Sequence, residues 1–391
     1  MLFAWELGRG LGHLATIRAI ADRLKGLGIR TVAAIRDPAA AALLHGSGTE
    51  VFAGPVWPLD EQAPTPAAMR SSATLNDILA SAGLADAAAM QRVLAQWEAI
   101  LQRLRPDLVV AEFAPIAALA ARGRVALVLV GSGYTLPPSE MPRFPPLHRA
   151  SAPQWREEET LAAVNAAARA LGRAPLQRLP QLFGADARVV LTFDLFDPYH
   201  TQRVDEVDGP LLERDVPKRR GAGDLIFAYL SGGYDIPAGL ADALRRFGPR
   251  VVIHAPRLRA EDRDGLARSG ARIESEPVAV AEILPLCRLV LHRGGHGLAC
   301  EALLAGVPQL VLSGQIEQTL NGAALQLAGV GKLVEAYRPS AAVPAALIEA
   351  MLDDAGMAER AAAMSCRCRA RLFDRDPALK CERACLDLMG N

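Results

Sequence analysis

Short apolar runs alternate along this chain with longer stretches whose apolar residues recur at helical spacing, and few folds accommodate that alternation. Leu2–Trp5, Thr31–Ile35, Leu108–Ala111, Val125–Val130 and Val189–Phe193 read as strands. Leu14–Leu27 and Ala87–Leu104 carry helix-period apolar residues between them. Strands that are apolar on both faces suit a parallel sheet covered by helices on each side. The pattern breaks over Val207–Asp224, where Gly209-Pro210, Pro217, Lys218-Arg219-Arg220 and Gly221-Ala222-Gly223 crowd together. It restarts with Leu225–Leu230, Val251–His254, Leu289–His292 and Gln309–Leu312, interleaved with helices such as Ala238–Arg246 and Gly297–Leu304. The expected class is α/β, with two Rossmann-like parallel-sheet domains facing a central cleft. Residues 1–208 form the first domain, 209–223 a linker and 224–375 the second, with a C-terminal helix at 376–391 that can pack back on the first.

At 391 residues, 51% of them hydrophobic, the chain has enough apolar surface for two cores. Forty-three basic residues balance forty-three acidic ones, which argues against a general affinity for nucleic acid or an anionic membrane. Any bound anion must be held by a local site. The start lacks a basic segment leading into an apolar stretch, and no run reaches the length of a membrane span. A cytoplasmic protein without an integral membrane segment is therefore expected. Cys366, Cys368, Cys381 and Cys385 lie close in sequence, but neither pair has CxxC spacing; they read as buried or incidental thiols and not as a zinc site.

The most informative segment runs from Leu289 to Gly331. A strand leads into His292-Arg293-Gly294-Gly295-His296-Gly297 and directly on into a helical pattern. Glycines let a backbone approach a ligand closely, and the amides at a helix start, reinforced by the dipole, form an anion site suited to a diphosphate.

This segment resembles the donor-binding signature of the family 1 glycosyltransferases of GT-B architecture, the group that contains macrolide, plant secondary-metabolite and glucuronosyl transferases. Arg293, Glu301, Gly306-Val307-Pro308, Glu317-Gln318 and Asn321 fall at the family's spacings. The resemblance implies that Glu301 binds the ribose hydroxyls, that Glu317 and Gln318 hold hydroxyls of the donor sugar with Asn321 beside them, and that Gly294, Gly295, His296 and Gly297 cradle the diphosphate. The family histidine aligns with Arg293 and His292 precedes it, so either or both can be the cation on the phosphates. Glu317 stands where the family has aspartate, and Glu276-Pro277-Val278 lacks the family's aromatic base platform. Sugar and base therefore stay open. Ser231 and Gly232, after the first strand of the second domain, match a family turn close to the nucleotide.

In the first half, the initial strand ends in Glu6-Leu7-Gly8-Arg9-Gly10-Leu11-Gly12-His13. Taken alone this is a weak dinucleotide fingerprint, with Asp37 as a ribose ligand, because the spacing is not GxGxxG. Beside the family, Gly12-His13 resembles the Gly-His at which many members place the catalytic base against the acceptor. An imidazole takes a hydroxyl proton effectively when a carboxylate fixes its tautomer. Glu112, at the end of Leu108–Ala111, is expected to be that orienter in preference to Asp107, which begins the strand. The alternative for His13 is a cap or a diphosphate contact, as in the related cell-wall N-acetylglucosamine transferases. Gly12, Gly133 and Tyr134 are expected beside the acceptor, while His45, His148, His200 and His254 lie in ordinary contexts.

The resemblance thus implies an inverting, metal-independent transfer from a UDP- or dTDP-sugar to a small-molecule or lipid-like acceptor. No cofactor is called for, the nucleotide sugar being a substrate; no metal is required, and the expectation is that no Asp-x-Asp is present to hold one. Two other readings share the architecture: a sugar-nucleotide-binding protein without catalysis, and a nucleotide-sugar epimerase.

Overall fold

The computed structural model describes residues 1–8, 12–58, 72–147, 152–212, 217, 223–232, 236–336, 338 and 341–390. Most of the expected linker, and residues 59–71 of the proline-containing stretch Pro55–Ala85, lie outside the described residues. The chain forms two compact units: Met1–Glu213 with Arg375–Asn391, and Arg214–Asp374.

Unit 1 is built on β1 (Leu2–Trp5), β2 (Val32–Ile35), β3 (Glu50–Ala53), β4 (Leu108–Glu112), β5 (Ala126–Gly131) and β6 (Ala187–Val190). They form one sheet in the order β3–β2–β1–β4–β5–β6, every pair parallel. Its helices are α1 (Gly12–Lys25), α2 (Leu75–Leu79), α3 (Ala87–Leu104), α4 (Pro115–Ala121) and α5 (Glu157–Ala170). β1 and β4 are buried at every position, as strands covered on both faces must be. α3 shows how local chemistry sets an element's limits. The Asp86 carboxylate accepts the Ala89 amide at its start, and Arg105 ends it in the left-handed conformation at φ 44°.

Unit 2 repeats the plan with β7 (Leu225–Tyr229), β8 (Val251–His254), β9 (Arg272–Ile273), β10 (Cys287–His292), β11 (Gln309–Ser313) and β12 (Gly331–Glu335), in the order β12–β11–β10–β7–β8–β9. Its helices are α6 (Leu240–Arg245), α7 (Ala260–Arg268), α8 (Val280–Ile283), α9 (His296–Ala305), α10 (Ile316–Leu327), α11 (Ala345–Asp353) and α12 (Ala355–Arg375). The last helix, α13 (Pro377–Met389), returns to unit 1. Asp376 turns the chain at φ 35° and caps α13 through Leu379 N, with Pro377 at the first helical position. Cys381 and Cys385 of α13 are buried in the same core as Phe3, Ile17 and Leu24. The Lys380–Asp208, Arg23–Glu382 and Arg375–Glu206 ion pairs, at 2.9, 2.6 and 2.6 Å, flank that contact.

Two expectations need correcting. The strand read at Val189–Phe193 is Ala187–Val190, because Thr192 N–H bonds back to Val190 O and turns the chain out of the sheet. The edge strands β3, β9 and β12 were not anticipated. Each lies at an edge of its sheet and mixes exposed or partly buried positions, charged ones among them, with apolar ones, so none reads as a fully buried strand. Among the described residues no single helix is long and apolar enough to cross a membrane; one pair, Leu75–Leu84 with Ala87–Leu104, meets the length and composition together but is bent by 81°.

Candidate functional site

In unit 1 the strand order reverses between β1 and β4, and at such a switch point the following connections diverge and leave room for a ligand. His13, near the start of α1, and Glu112, the last residue of β4, meet there: His13 Nδ1 lies 2.7 Å from Glu112 Oε2. A carboxylate only accepts, so Nδ1 carries the proton and Nε2 is the basic nitrogen. The ring is stacked between Trp5, with centroids 5.7 Å apart, and Phe113, at 6.3 Å. Asp107, at the far end of β4, is not part of this arrangement.

Gly8 was not singled out in advance, yet the site depends on it. It adopts φ +85°, and a Cβ there would fall 2.1 Å from His13 Nε2. Its carbonyl accepts Arg36 Nη1, and the Arg36 guanidinium lies 5.8 Å over the Trp5 ring. Gly12, by contrast, is exposed at the start of α1, with open space where a side chain would go. Gly8→Ala is therefore expected to push the ring off Glu112 and lower any His13-dependent rate by about 10²-fold, with only a modest loss of melting temperature. Steady-state rates and a melting curve on the same sample check it.

Gly133 and Tyr134 do not present the open surface expected of an acceptor contact. Both are buried, and a Cβ on Gly133 would lie 2.9 Å from Asp197 Cα, so this glycine serves close packing. Arg203 holds the loop from behind. Its Nε and Nη2 grip Asp197 at 2.5 and 2.9 Å, and Nη2 also donates to the Gly133 and Leu136 carbonyls at 3.1 Å.

In unit 2 the strand order reverses between β7 and β10, and the donor candidates gather at those two strand ends. Gly294 takes φ +86°, and a Cβ would meet Val311 Cγ1 at 2.6 Å and Gln318 O at 2.8 Å; only glycine fits. Gly295 caps α9, whose first helical hydrogen bond runs from Ala299 N to Gly295 O, so the amides of Gly297 and Leu298 head the helix. Gly295 and Gly297 are exposed, and Arg293 is buried beside them. His296 opens the helix with its ring 3.5 Å from Cys300 Sγ. Glu301 and Glu317 are half-buried. Ser231 is half-buried and Gly232 exposed after β7.

Two residues expected at the donor stand behind the turn. His292 is 1% exposed, its Nε2–H donates to Gln309 Oε1 at 2.9 Å, and its Nδ1 accepts Gly294 N–H at 3.1 Å. With both nitrogens engaged it cannot also bind phosphate, which leaves Arg293 as the cation of this turn. Asn321 is likewise buried, and its Nδ2 donates to Gly294 O at 2.9 Å. Gln318 Oε1 accepts the Gly314 N–H at 2.7 Å, which fixes the side-chain amide and leaves its nitrogen as the donor for a ligand. Tyr229 and His254 stack at the ends of β7 and β8 with centroids 5.1 Å apart, and the tyrosine lies in the field of Glu301.

Of the C-terminal cysteines, Cys366 is exposed while Cys368, Cys381 and Cys385 are buried. Asp-x-Asp spacings do occur, at Asp262-Arg263-Asp264 and Asp374-Arg375-Asp376. Asp262 is paired with Arg245 and Arg259, Asp376 caps α13, and no three candidate metal ligands converge among the described residues.

Residues 239–373 match the family model of the erythromycin biosynthesis protein CIII-like C-terminal domain. The structure is similar to that of the calicheamicin glycosyltransferase CalG4, with a TM-score of 0.71 at 17% identity over 100% of this chain and 98% of that one. It is similar also to the spinosyn rhamnosyltransferase SpnG complexed with thymidine diphosphate, at a TM-score of 0.63 and 19% identity over 94% and 96% of the two chains. This is the GT-B glycosyltransferase fold. In sequence, the tylactone mycaminosyltransferase of Streptomyces fradiae is 35% identical over 80 residues, 20% of this chain and 18% of that protein. The alignments span about a fifth of the length of the curated relatives they match. The matched domain contains Arg293 to Gly297, Glu301, Glu317, Gln318 and Asn321, while Ser231 and Gly232 precede it.

The two units of this GT-B fold bury titratable groups whose effects on stability run in opposite directions with pH. In unit 2, burial pushes His292 down from 6.5 to about 4. The folded state then binds fewer protons, so His292 contributes stability above pH 6.5 that is lost towards pH 4, about 3 kcal/mol in all. In unit 1, burial pushes the Glu6 carboxyl up from 4.5 to about 7. That contribution has the opposite sign: present below pH 4.5 and lost as the pH rises through 7, again about 3 kcal/mol. Amide exchange, corrected for intrinsic rates, is expected to show unit 2 weakening relative to unit 1 between pH 7 and pH 5.

Proposed function

We propose that this chain is an inverting glycosyltransferase that moves a sugar from a UDP- or dTDP-sugar onto a hydroxyl of a small-molecule or lipid-like acceptor. The observation that carries the reading is the His13–Glu112 pair, an imidazole held in one tautomer by a buried carboxylate at the switch point of the first sheet. His13 Nε2 takes the acceptor's proton, the acceptor oxygen bonds to the anomeric carbon, and the bond from that carbon to the diphosphate oxygen breaks. The nucleotide diphosphate leaves with its electron pair towards Arg293 and the amides that head α9, which oppose the developing charge. Glu301 takes the ribose hydroxyls, and Glu317 with the Gln318 nitrogen takes hydroxyls of the sugar. Residues 1–208 then serve the acceptor and 224–375 the donor. The structural neighbour complexed with thymidine diphosphate supports the dTDP-type donor of the two, and the scheme draws on no cofactor or metal.

Melting of the purified protein with UDP, dTDP, GDP and NADH tests the donor assignment, with Arg293→Ala and Glu301→Ala as controls. Stabilisation by a nucleoside diphosphate that both variants lose supports it; preference for NADH sinks it. Product analysis with the matching nucleotide sugar and a panel of apolar alcohols then separates the alternatives. A glycoside identifies the transferase, a new sugar nucleotide an epimerase, and binding without conversion an inactive binder.

A further inference from the structure

Glu6 has no part in the scheme above, yet it is a wholly buried carboxylate one residue beyond the central strand β1. Its Oε2 accepts Ile116 N at 3.0 Å and its Oε1 accepts Ala117 N at 2.8 Å, so it clasps the first turn of α4 from 110 residues away. The indoles of Trp97 and Trp57, both buried, add to the field that favours its charged form. The donors facing it are neutral N–H groups.

The two neighbours of Glu6 act on the same place. Trp5 stacks on His13 and pairs in register with Glu112; Leu7 N–H donates to the Phe113 carbonyl at 3.1 Å. Three residues, Phe113, Ala114 and Pro115, separate Glu112 from the clasped amides. Phe113 is held at φ 42°, in the left-handed region, and Pro115 has a fixed φ, so the turn has little slack. Whatever sets the start of α4 therefore sets where β4 delivers Glu112 and where the Phe113 ring meets His13.

We propose that Glu6 is a positioning residue for the His13–Glu112 pair: its carboxylate fastens the first turn of α4 and thereby fixes the Glu112 carboxylate against His13 Nδ1. The kinetic consequence rests on the transferase reading; the geometric one does not. Glu6→Gln keeps the size of the side chain but offers one acceptor and directs an NH2 group at an amide, so one of the two clasps is lost.

The test is made on the full chain. In the wild type the Nδ1–H proton of His13, held by the bond to Glu112, is expected as a downfield NMR resonance, absent in His13→Ala and lost in Glu112→Gln. Glu6→Gln is expected to broaden or lose that resonance and to lower kcat at least tenfold, with the KM for the nucleotide sugar within twofold. Glu6→Asp, whose shorter carboxylate reaches one amide, is expected to fall between. A folded Glu6→Gln protein with the resonance intact and kcat within twofold overturns the proposal. Should Glu6→Gln fail to fold, Glu6→Asp decides by the same criteria. Should the wild type prove to transfer no sugar, the resonance alone decides, which separates failure of this inference from failure of the transferase reading.

Discussion

His13→Ala is expected to lower kcat by about 10²- to 10⁴-fold while leaving stabilisation by UDP or dTDP unchanged. The magnitude is that of a positioned base removed from a reaction that still retains its charge-stabilising groups. The residues proposed to bind the donor, Arg293, Gly295, Gly297 and Glu301, belong to the other unit, which is why binding is expected to survive. Glu112→Gln provides the companion result. A carboxamide turned with its nitrogen towards Nδ1 stabilises the wrong tautomer, so the rate is expected to fall by roughly 10²-fold or more although the imidazole is still present. Because the two residues act as one unit, the double variant is expected to be little worse than His13→Ala alone. Steady-state kinetics with the donor saturating checks all three. A His13→Ala enzyme with kcat within tenfold of wild type would restore the view of His13 as a cap at the start of α1.

Arg203→Ala is expected to have the largest effect on stability. Its side chain is 2% exposed and that of Asp197 is not exposed at all, so removal of the guanidinium leaves a carboxylate buried without its counter-charge. Such a loss costs about 3–5 kcal/mol, which in a unit of this size lowers Tm by roughly 10 °C. The Gly133 and Leu136 carbonyls lose their donor in the same step, so the loop after β5 is expected to exchange its amides faster than the rest of unit 1. Arg203→Met with Asp197→Leu should recover much of the loss, since an apolar pair has no uncompensated charge to desolvate. Thermal melts of the two variants side by side give the answer.

Much of this was legible in the sequence because the central strands of a covered parallel sheet must be apolar throughout. β1, β4, β8 and β10 announce themselves in that way, and the glycine turn after β10 follows from the strand before it. The pairing of His13 with Glu112 was accessible for the same reason, since Glu112 ends one readable strand and His13 opens the helix that follows another. What the spacing could not convey was which polar groups face inward. His292 and Asn321 have the types expected of ligands, but a backbone turn with a buried carbonyl and amide needs partners too, and these side chains supply them. Trp5 reads as one more apolar strand residue until Phe113 closes the other side of the imidazole. Gly8 is one glycine among several in its run, and only its closeness to His13 sets it apart.

The return of α13 to the first unit has a consequence for how the protein is made. Cys381 and Cys385 complete a core whose other members, from Met1 to Leu191, leave the ribosome before any of residues 214–374. During translation the first sheet therefore waits with an apolar face uncovered until the whole second unit has been synthesised. Unit 2 has no such debt to a distant segment, being continuous in sequence. The half of the chain translated second is the half that can finish folding first, and the nascent first half is the one that needs shelter from aggregation in the interval.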